Sequence, residues 1–136
     1  MTENNVAKVV VDCAFRVHTA LGPGFLETVY EVALAYELNQ RGLSVQRQVP
    51  IPIRYGTIVF EGGFIADLVV EGVLIVELKS IEQAGPVHKK QLITYLRLAD
   101  KRLGLLINFG AVLIKDGITR IANGLPEERS IPEFSR

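Results

Sequence analysis

Cysteine is almost missing from this chain. Cys13 is the only one among 136 residues, so no disulfide can form within it, which fits a reducing cytosol. Cys13 falls on the apolar side of a helical pattern, as a small buried hydrophobe. Histidine is scarce too: His18, His88 and Cys13 have no ligand spacing for zinc. Charge of either sign is not in excess, with 15 Lys and Arg against 15 Asp and Glu. That argues against a strongly basic binding protein, while leaving room for a local patch. Apolar runs are strand-sized, so nothing is expected to span a membrane. Met1-Thr2-Glu3-Asn4-Asn5 has neither a basic start nor an apolar stretch, so no secretory signal is expected, and a cytoplasmic location follows. A phosphate-binding P-loop, a nucleophile elbow and internal repeats are all absent.

What is present suits one globular domain, since hydrophobic residues make up 49% of the chain. Val6, Val9, Val10, Cys13 and Val17 recur at helical spacing and predict a helix from Val6 to Leu21, with Asn5 as its N-cap. Leu21-Gly22-Pro23-Gly24 breaks it. Leu26, Val29, Tyr30, Ala33, Leu34 and Leu38 predict a second helix over 26–40, ended by Arg41-Gly42. Ser44 to Phe60 is β-rich, and Pro50 and Pro52 at alternate positions suit an edge strand. Gly62-Gly63 reads as a break before a central hairpin, Phe64–Val70 and Val73–Ser80. A third helix is predicted from Val87 to about Asp100, then a buried strand Leu103–Phe109 and a last short strand Ala111–Lys115. From Asn123 the chain is polar and aperiodic, so the domain is set at 1–122 with a tail at 123–136.

The chemistry gathers on the central hairpin. Asp67-Leu-Val-Val-Glu-Gly-Val-Leu-Ile-Val-Glu-Leu-Lys79 is two apolar runs carrying Asp67, Glu77 and Lys79. Glu77 and Lys79 must share a face, because strand side chains alternate. Both faces of the hairpin look buried, and an ionised group there costs several kcal/mol unless it is paired or binds a metal. Whether Asp67 joins that face depends on the turn. A two-residue loop at Glu71-Gly72 would pair Asp67 with Val76 and put the carboxylates on opposite faces. A three-residue loop Val70-Glu71-Gly72, with Gly72 left-handed, would pair Asp67 with Ile75 and put them on one face. A shared site therefore predicts an odd loop or a bulge.

Carboxylates converging with a lysine suggest divalent metal chemistry, with Mg²⁺ as a hard ion taking oxygen ligands. Glu27 opens the second helix, either as a first-turn acid complementing the helix dipole or as a ligand aimed at the sheet. On the third helix His88, Gln91 and Tyr95 form a polar stripe, either a flank meeting water or a functional edge. Lys89, Lys90, Arg97, Lys101 and Arg102 make this the most basic stretch, able to meet phosphates.

The order Glu27, Asp67, Glu77-Leu78-Lys79, then Gln91-Leu92-Ile93-Thr94-Tyr95 resembles the PD-(D/E)XK nuclease superfamily, its Gln-x-x-x-Tyr being similar to the RecB-like branch. Gly24-Phe25-Leu26-Glu27-Thr28-Val29-Tyr30, Ala66-Asp67-Leu68-Val69-Val70 and Gly104-Leu105-Leu106-Ile107-Asn108-Phe109-Gly110 are similar to the GxxExxY protein family. Asp67 follows Ala66 rather than the proline of the superfamily's name. The resemblance, over roughly residues 6–122, implies an α/β fold: one restriction-endonuclease-like domain with a mixed, mostly four-stranded sheet flanked by helices, in the order α-β-β-β-α-β. It implies a metal-dependent nuclease acting on nucleic acid, DNA foremost. Glu27, Asp67 and Glu77 would bind Mg²⁺ or Mn²⁺ with the Leu78 carbonyl as a further ligand, and Lys79 would act on the attacking water. Gln91 and Tyr95 would orient Lys79 or contact the substrate, with His88, Lys89 and Lys90 beside them. A homodimer or a partner protein would supply the grip on DNA that so small a neutral domain lacks. The alternative is a non-catalytic nucleic-acid- or protein-binding regulatory module on the same fold.

Overall fold

The computed structural model describes residues 1–125. Helices α1 (Glu3–Leu21) and α2 (Glu27–Gln40) are followed by strands β1 (Val45–Tyr55), β2 (Ile58–Val70) and β3 (Leu74–Lys79). Then come α3 (Pro86–Ala99), β4 (Leu103–Asn108), the single turn α4 (Ile114–Gly117) and β5 (Ile118–Ala122). The five strands form one mixed sheet in sequence order, antiparallel throughout except for the parallel pair β3–β4 that α3 connects. No helix among the described residues is long and apolar enough to cross a membrane.

The sheet is covered on both faces, which explains why its middle strands are apolar on both sides. Leu68, Val70, Leu74, Val76, Leu78, Leu103, Leu105 and Ile107 pack with Val10, Ala14, Tyr30 and Leu34 of α1 and α2. Phe64, Ala66, Val69, Ile75 and Leu106 pack with Leu92 and Leu96 of α3. Cys13 is buried in the first of these layers, as its spacing implies.

Several expectations need correction. Helix α1 starts three residues early, because Thr2 rather than Asn5 caps it and accepts the Asn5 amide at 3.1 Å. Strand β2 runs through Gly62 and Gly63 without a break, since β1 pairs with it on both sides of them. The last strand is not Ala111–Lys115. Residues 114–117 form α4, and β5 begins at Ile118, making the sheet five-stranded rather than four. Pro50 and Pro52 do lie on an edge strand, where the register with β2 slips between Ile51 and Ile53. Most of the expected tail lies outside the described residues. Of the three described, Asn123 donates to the Lys101 carbonyl at 2.9 Å and Leu125 packs against the core.

The hairpin turn is odd-numbered, as a shared site requires, but it is set one residue later than expected. Val70 pairs with Leu74, leaving Glu71, Gly72 and Val73 as the loop. Glu71 and Gly72 both take positive φ, 55° and 68°. The Val73 amide closes the turn on the Val70 carbonyl at 3.1 Å. Glycine meets the second of these angles without strain. The register thus sets Asp67 across from Glu77, not from Ile75, and the two carboxylates share a face.

Candidate active site

Pairing of β2 with β3 stops at Leu68↔Val76, one step short of Asp67 and Glu77. Beyond that point side chains take over from the backbone ladder. The Asp67 amide donates to Glu77 Oε1 at 3.2 Å, and the Leu78 amide donates to Asp67 Oδ2 at 2.8 Å. Strand β2 also rotates here. Ala66 belongs to the layer under α3, whereas Leu68, two residues on, belongs to the layer under α1 and α2. Regular alternation would have put both on one face. The rotation opens a fork, and the two acids line it.

Both acids are half-buried, and both titrate high. Burial pushes the Asp67 carboxyl up, while its bonds to the Leu78 amide and Gln48 pull it down. Glu77 is pushed up to about 8, first by burial and then by the negative charge of Asp67. Lys79 lowers both, as a cation two residues along the same face. Burial therefore outweighs the help that Lys79 gives to the charged forms of both acids.

Glu27 stands at the start of α2, near enough for its charge to act on Glu77. Tyr30, one turn on, donates its hydroxyl to the Gly22 carbonyl at 2.6 Å and accepts the Phe25 amide at 3.1 Å. Its ring stacks on Phe109 at 4.5 Å between centroids. Ser80, next to Lys79, donates to the Phe25 carbonyl. These bonds tie the loop before α2 to the end of β3. Glu27 itself is exposed, and its charge adds to the repulsion on Glu77.

The α3 residues stand around the same face. Tyr95 stacks on Phe64, centroids 3.9 Å apart and rings within 10° of parallel. Gln91, Lys89 and Lys90 are exposed. Val87, Lys90, Gln91, Thr94 and Tyr95 line a shallow groove of about 260 Å³. His88 is half-buried, and its Nδ1 is shielded without a hydrogen bond among the described residues. His18, by contrast, is part of the core, bonded through Nε2 to the Ala111 carbonyl at 2.9 Å.

Two residues at the site escape a reading by motif. Glu31 is buried on α2 and takes Gln48 and Arg47 of β1 as partners, and Gln48 also reaches Asp67. Glu31 lies one helical turn after Glu27, a spacing that could have flagged it; Gln48 carries no such signal.

A family model for the PD-(D/E)XK nuclease superfamily matches residues 4–121. This chain belongs to that superfamily. Among curated proteins, none matches it. The five-stranded mixed sheet flanked by helices is consistent with the restriction-endonuclease-like fold of the PD-(D/E)XK superfamily. A nuclease-type activity on nucleic acid follows as the general expectation for a PD-(D/E)XK chain. Divalent metal is typical of that chemistry, and part of the donor set here suits it. Asp67 and Glu77 supply hard oxygen donors whose charged forms burial disfavours, which suits an ion that takes one or two carboxylates and keeps its waters. Among the described residues, no three His, Cys, Asp or Glu side chains converge as a ready-made metal cage. The fit is thus to a site built on two carboxylates, Asp67 and Glu77.

Proposed function

We propose that this chain is a Mg²⁺- or Mn²⁺-dependent nuclease that hydrolyses phosphodiester bonds, with DNA as its substrate. The observation that carries the reading is the fork at Asp67 and Glu77. Two half-buried carboxylates are pressed together there, and burial pushes both towards protonation, with the charge of Asp67 adding to the shift on Glu77. A divalent cation on these two oxygens, with Glu27 and the Leu78 carbonyl as further ligands, would polarise the scissile phosphate and acidify a bound water.

The chain's own side chains do the rest. Lys79, two residues beyond Glu77, orients the attacking water and offsets charge building on the phosphate oxygens. Water adds to phosphorus and its proton passes to a base at the site, while the bond from phosphorus to the leaving sugar oxygen breaks and that oxygen takes a proton from solvent water. Gln91 and Tyr95 lie along the substrate side, with His88, Lys89 and Lys90 at the start of α3 meeting backbone phosphates. A second copy or a partner protein would extend this grip.

A non-catalytic binding module on the same fold is favoured by one observation, the lack of a third converging ligand among the described residues. Incubation of the wild type and Glu77→Ala with Mn²⁺ and labelled single-stranded, blunt duplex, circular and RNA substrates separates the two. Cleavage that the variant lacks establishes the nuclease and its substrate. Binding without cleavage on every substrate establishes the module.

A further inference from the structure

Arg47 and Gln48 are consecutive residues of β1, yet both reach one carboxylate. Arg47 gives Nε and Nη2 to Glu31 Oε2, each at 2.9 Å, and Gln48 gives Nε2 to Glu31 Oε1. Successive side chains of a regular strand leave on opposite faces, so this convergence needs a departure from strand geometry. Gln48 provides it with φ 53°, a left-handed angle that glycine takes freely and other residues do not. Such strain persists where surrounding contacts hold it, and it gathers at functional sites. Here the contacts are with Glu31, itself only 5% exposed.

The same Gln48 Nε2 lies 3.3 Å from Asp67 Oδ1. An amide nitrogen carries two hydrogens, one for each carboxylate. The flanking pairs Arg47↔Leu68 and Val49↔Ala66 set Gln48 across from Asp67 on the neighbouring strand. Asp67 Oδ2 already takes the Leu78 amide. Each Asp67 oxygen therefore has one neutral donor, and together these fix the plane of the carboxylate.

We propose that Gln48, held in its left-handed conformation by Glu31, is a positioning residue that sets the Asp67 carboxylate for its ligand role. The inference rests on the reading of the fork as a metal site. A neutral amide suits the task because it steadies the carboxylate without competing with a cation, as a lysine or arginine would. Arg47 neutralises Glu31 from the solvent side, with 44% of its side chain exposed. Glu31, held by both partners, is the fixed end of the chain Glu31–Gln48–Asp67. Partners that orient a ligand in this way typically account for about 10–100-fold in metal affinity.

Gln48→Gly is the decisive variant, since glycine accepts the backbone angle while the amide is lost. Mn²⁺ titration by calorimetry, without nucleic acid, should show binding weakened by about tenfold or more in Gln48→Gly and in Glu31→Gln. Exposed Gln46→Ala should bind as the wild type does. In the metal-free wild type, the Gln48 side-chain amide protons should resonate away from free-glutamine positions, and Asp67→Asn should move them. Wild-type Mn²⁺ affinity in folded Gln48→Gly overturns the proposal and leaves the nuclease reading standing. Should the wild type bind no Mn²⁺, the metal reading fails, and the amide resonances decide alone. Displaced resonances that move in Asp67→Asn uphold the Gln48–Asp67 contact as what positions that carboxylate, and free-glutamine positions overturn it.

Discussion

The Asp67 amide donates to the Glu77 carboxylate across the point where two paired strands part. A backbone donor thus draws the second acid to the base of the first, and the two carboxylates share a single small volume. One stabilises the position of the other while opposing its charge.

That opposition has a pH signature. Glu77 has an ordinary value of 4.5 and is pushed up to about 8 in the fold. The folded state therefore keeps a proton that the unfolded state has released throughout this window. Stability contributed by that proton is complete below 4.5 and is lost as pH rises towards 8. Glu77→Gln cannot lose it. In metal-free buffer its thermal midpoint should exceed the wild type's at the upper end of the window, and the gap should close at the lower end. Parallel pH profiles would remove Glu77 from the buried, repelled position assigned to it. Metal binding must displace the same proton, so Mn²⁺ affinity should rise with pH across the window.

Lys79 is two residues from Glu77 and counters both acids, but it offers no ligand atom while it is charged. Lys79→Ala should bind Mn²⁺ within a few-fold of the wild type. Its cleavage rate should fall by about 10²–10⁴, the usual weight of a group that acts on the proton or charge of the transition state. Equal losses of binding and cleavage would make Lys79 a structural cation.

The order of elements was legible because periodicity marks helices and apolar runs mark strands. The shared face of Glu77 and Lys79 followed from alternation alone. The pairing of Asp67 was harder, since it hangs on which residues form a turn that Val70, Glu71, Gly72 and Val73 can each enter or leave. The structure chose the later register, with Glu71 as well as Gly72 left-handed. The twist between Ala66 and Leu68 had no sequence signal, because both are apolar and both are buried. Gln48 was unreadable for a related reason: its reach depends on a backbone angle that glutamine seldom takes. Ile114 and Lys115 fall within the expected strand Ala111–Lys115 because the single turn over 114–117 is too short to show a helical period.

Asn108 ends β4 and is only 2% exposed. Its Oδ1 accepts the amides of Ile81 at 3.1 Å and Gly110 at 3.0 Å, tying the segment after Lys79 to the end of the next strand. Gly110 sits so close that an added Cβ would fall 2.1 Å from the Ile81 carbonyl oxygen. Asn108→Ala would strand two amide donors and should cost about 2–4 kcal/mol, below the ~2–6 of two fully buried orphans because Ile81 is exposed and Gly110 half-buried. Asn108→Asp retains the accepting oxygen and should cost less. Chemical denaturation of both variants checks the order. A cost for Asn108→Ala no larger than for Asn108→Asp would show that the accepting oxygen does not hold the segment.

Tyr95 joins the fold and the site, and two substitutions divide its roles. Its ring lies flat on Phe64, at 3.9 Å, on the strand that carries Asp67. Removing the ring in Tyr95→Ala should cost about 2 kcal/mol, less than the ~3–5 of a fully buried aromatic because Tyr95 is half-buried. It should also loosen β2 near the fork, so Mn²⁺ binding should weaken along with stability. Tyr95→Phe keeps the stack and removes only the hydroxyl. Its thermal midpoint should match the wild type's, while turnover should fall mildly if the hydroxyl serves Lys79 or the nucleic acid as proposed. If both rate and substrate affinity are unchanged in Tyr95→Phe, the hydroxyl has no part in the reaction. Tyr95 then acts only as the plate against which Phe64 fixes the outer half of β2.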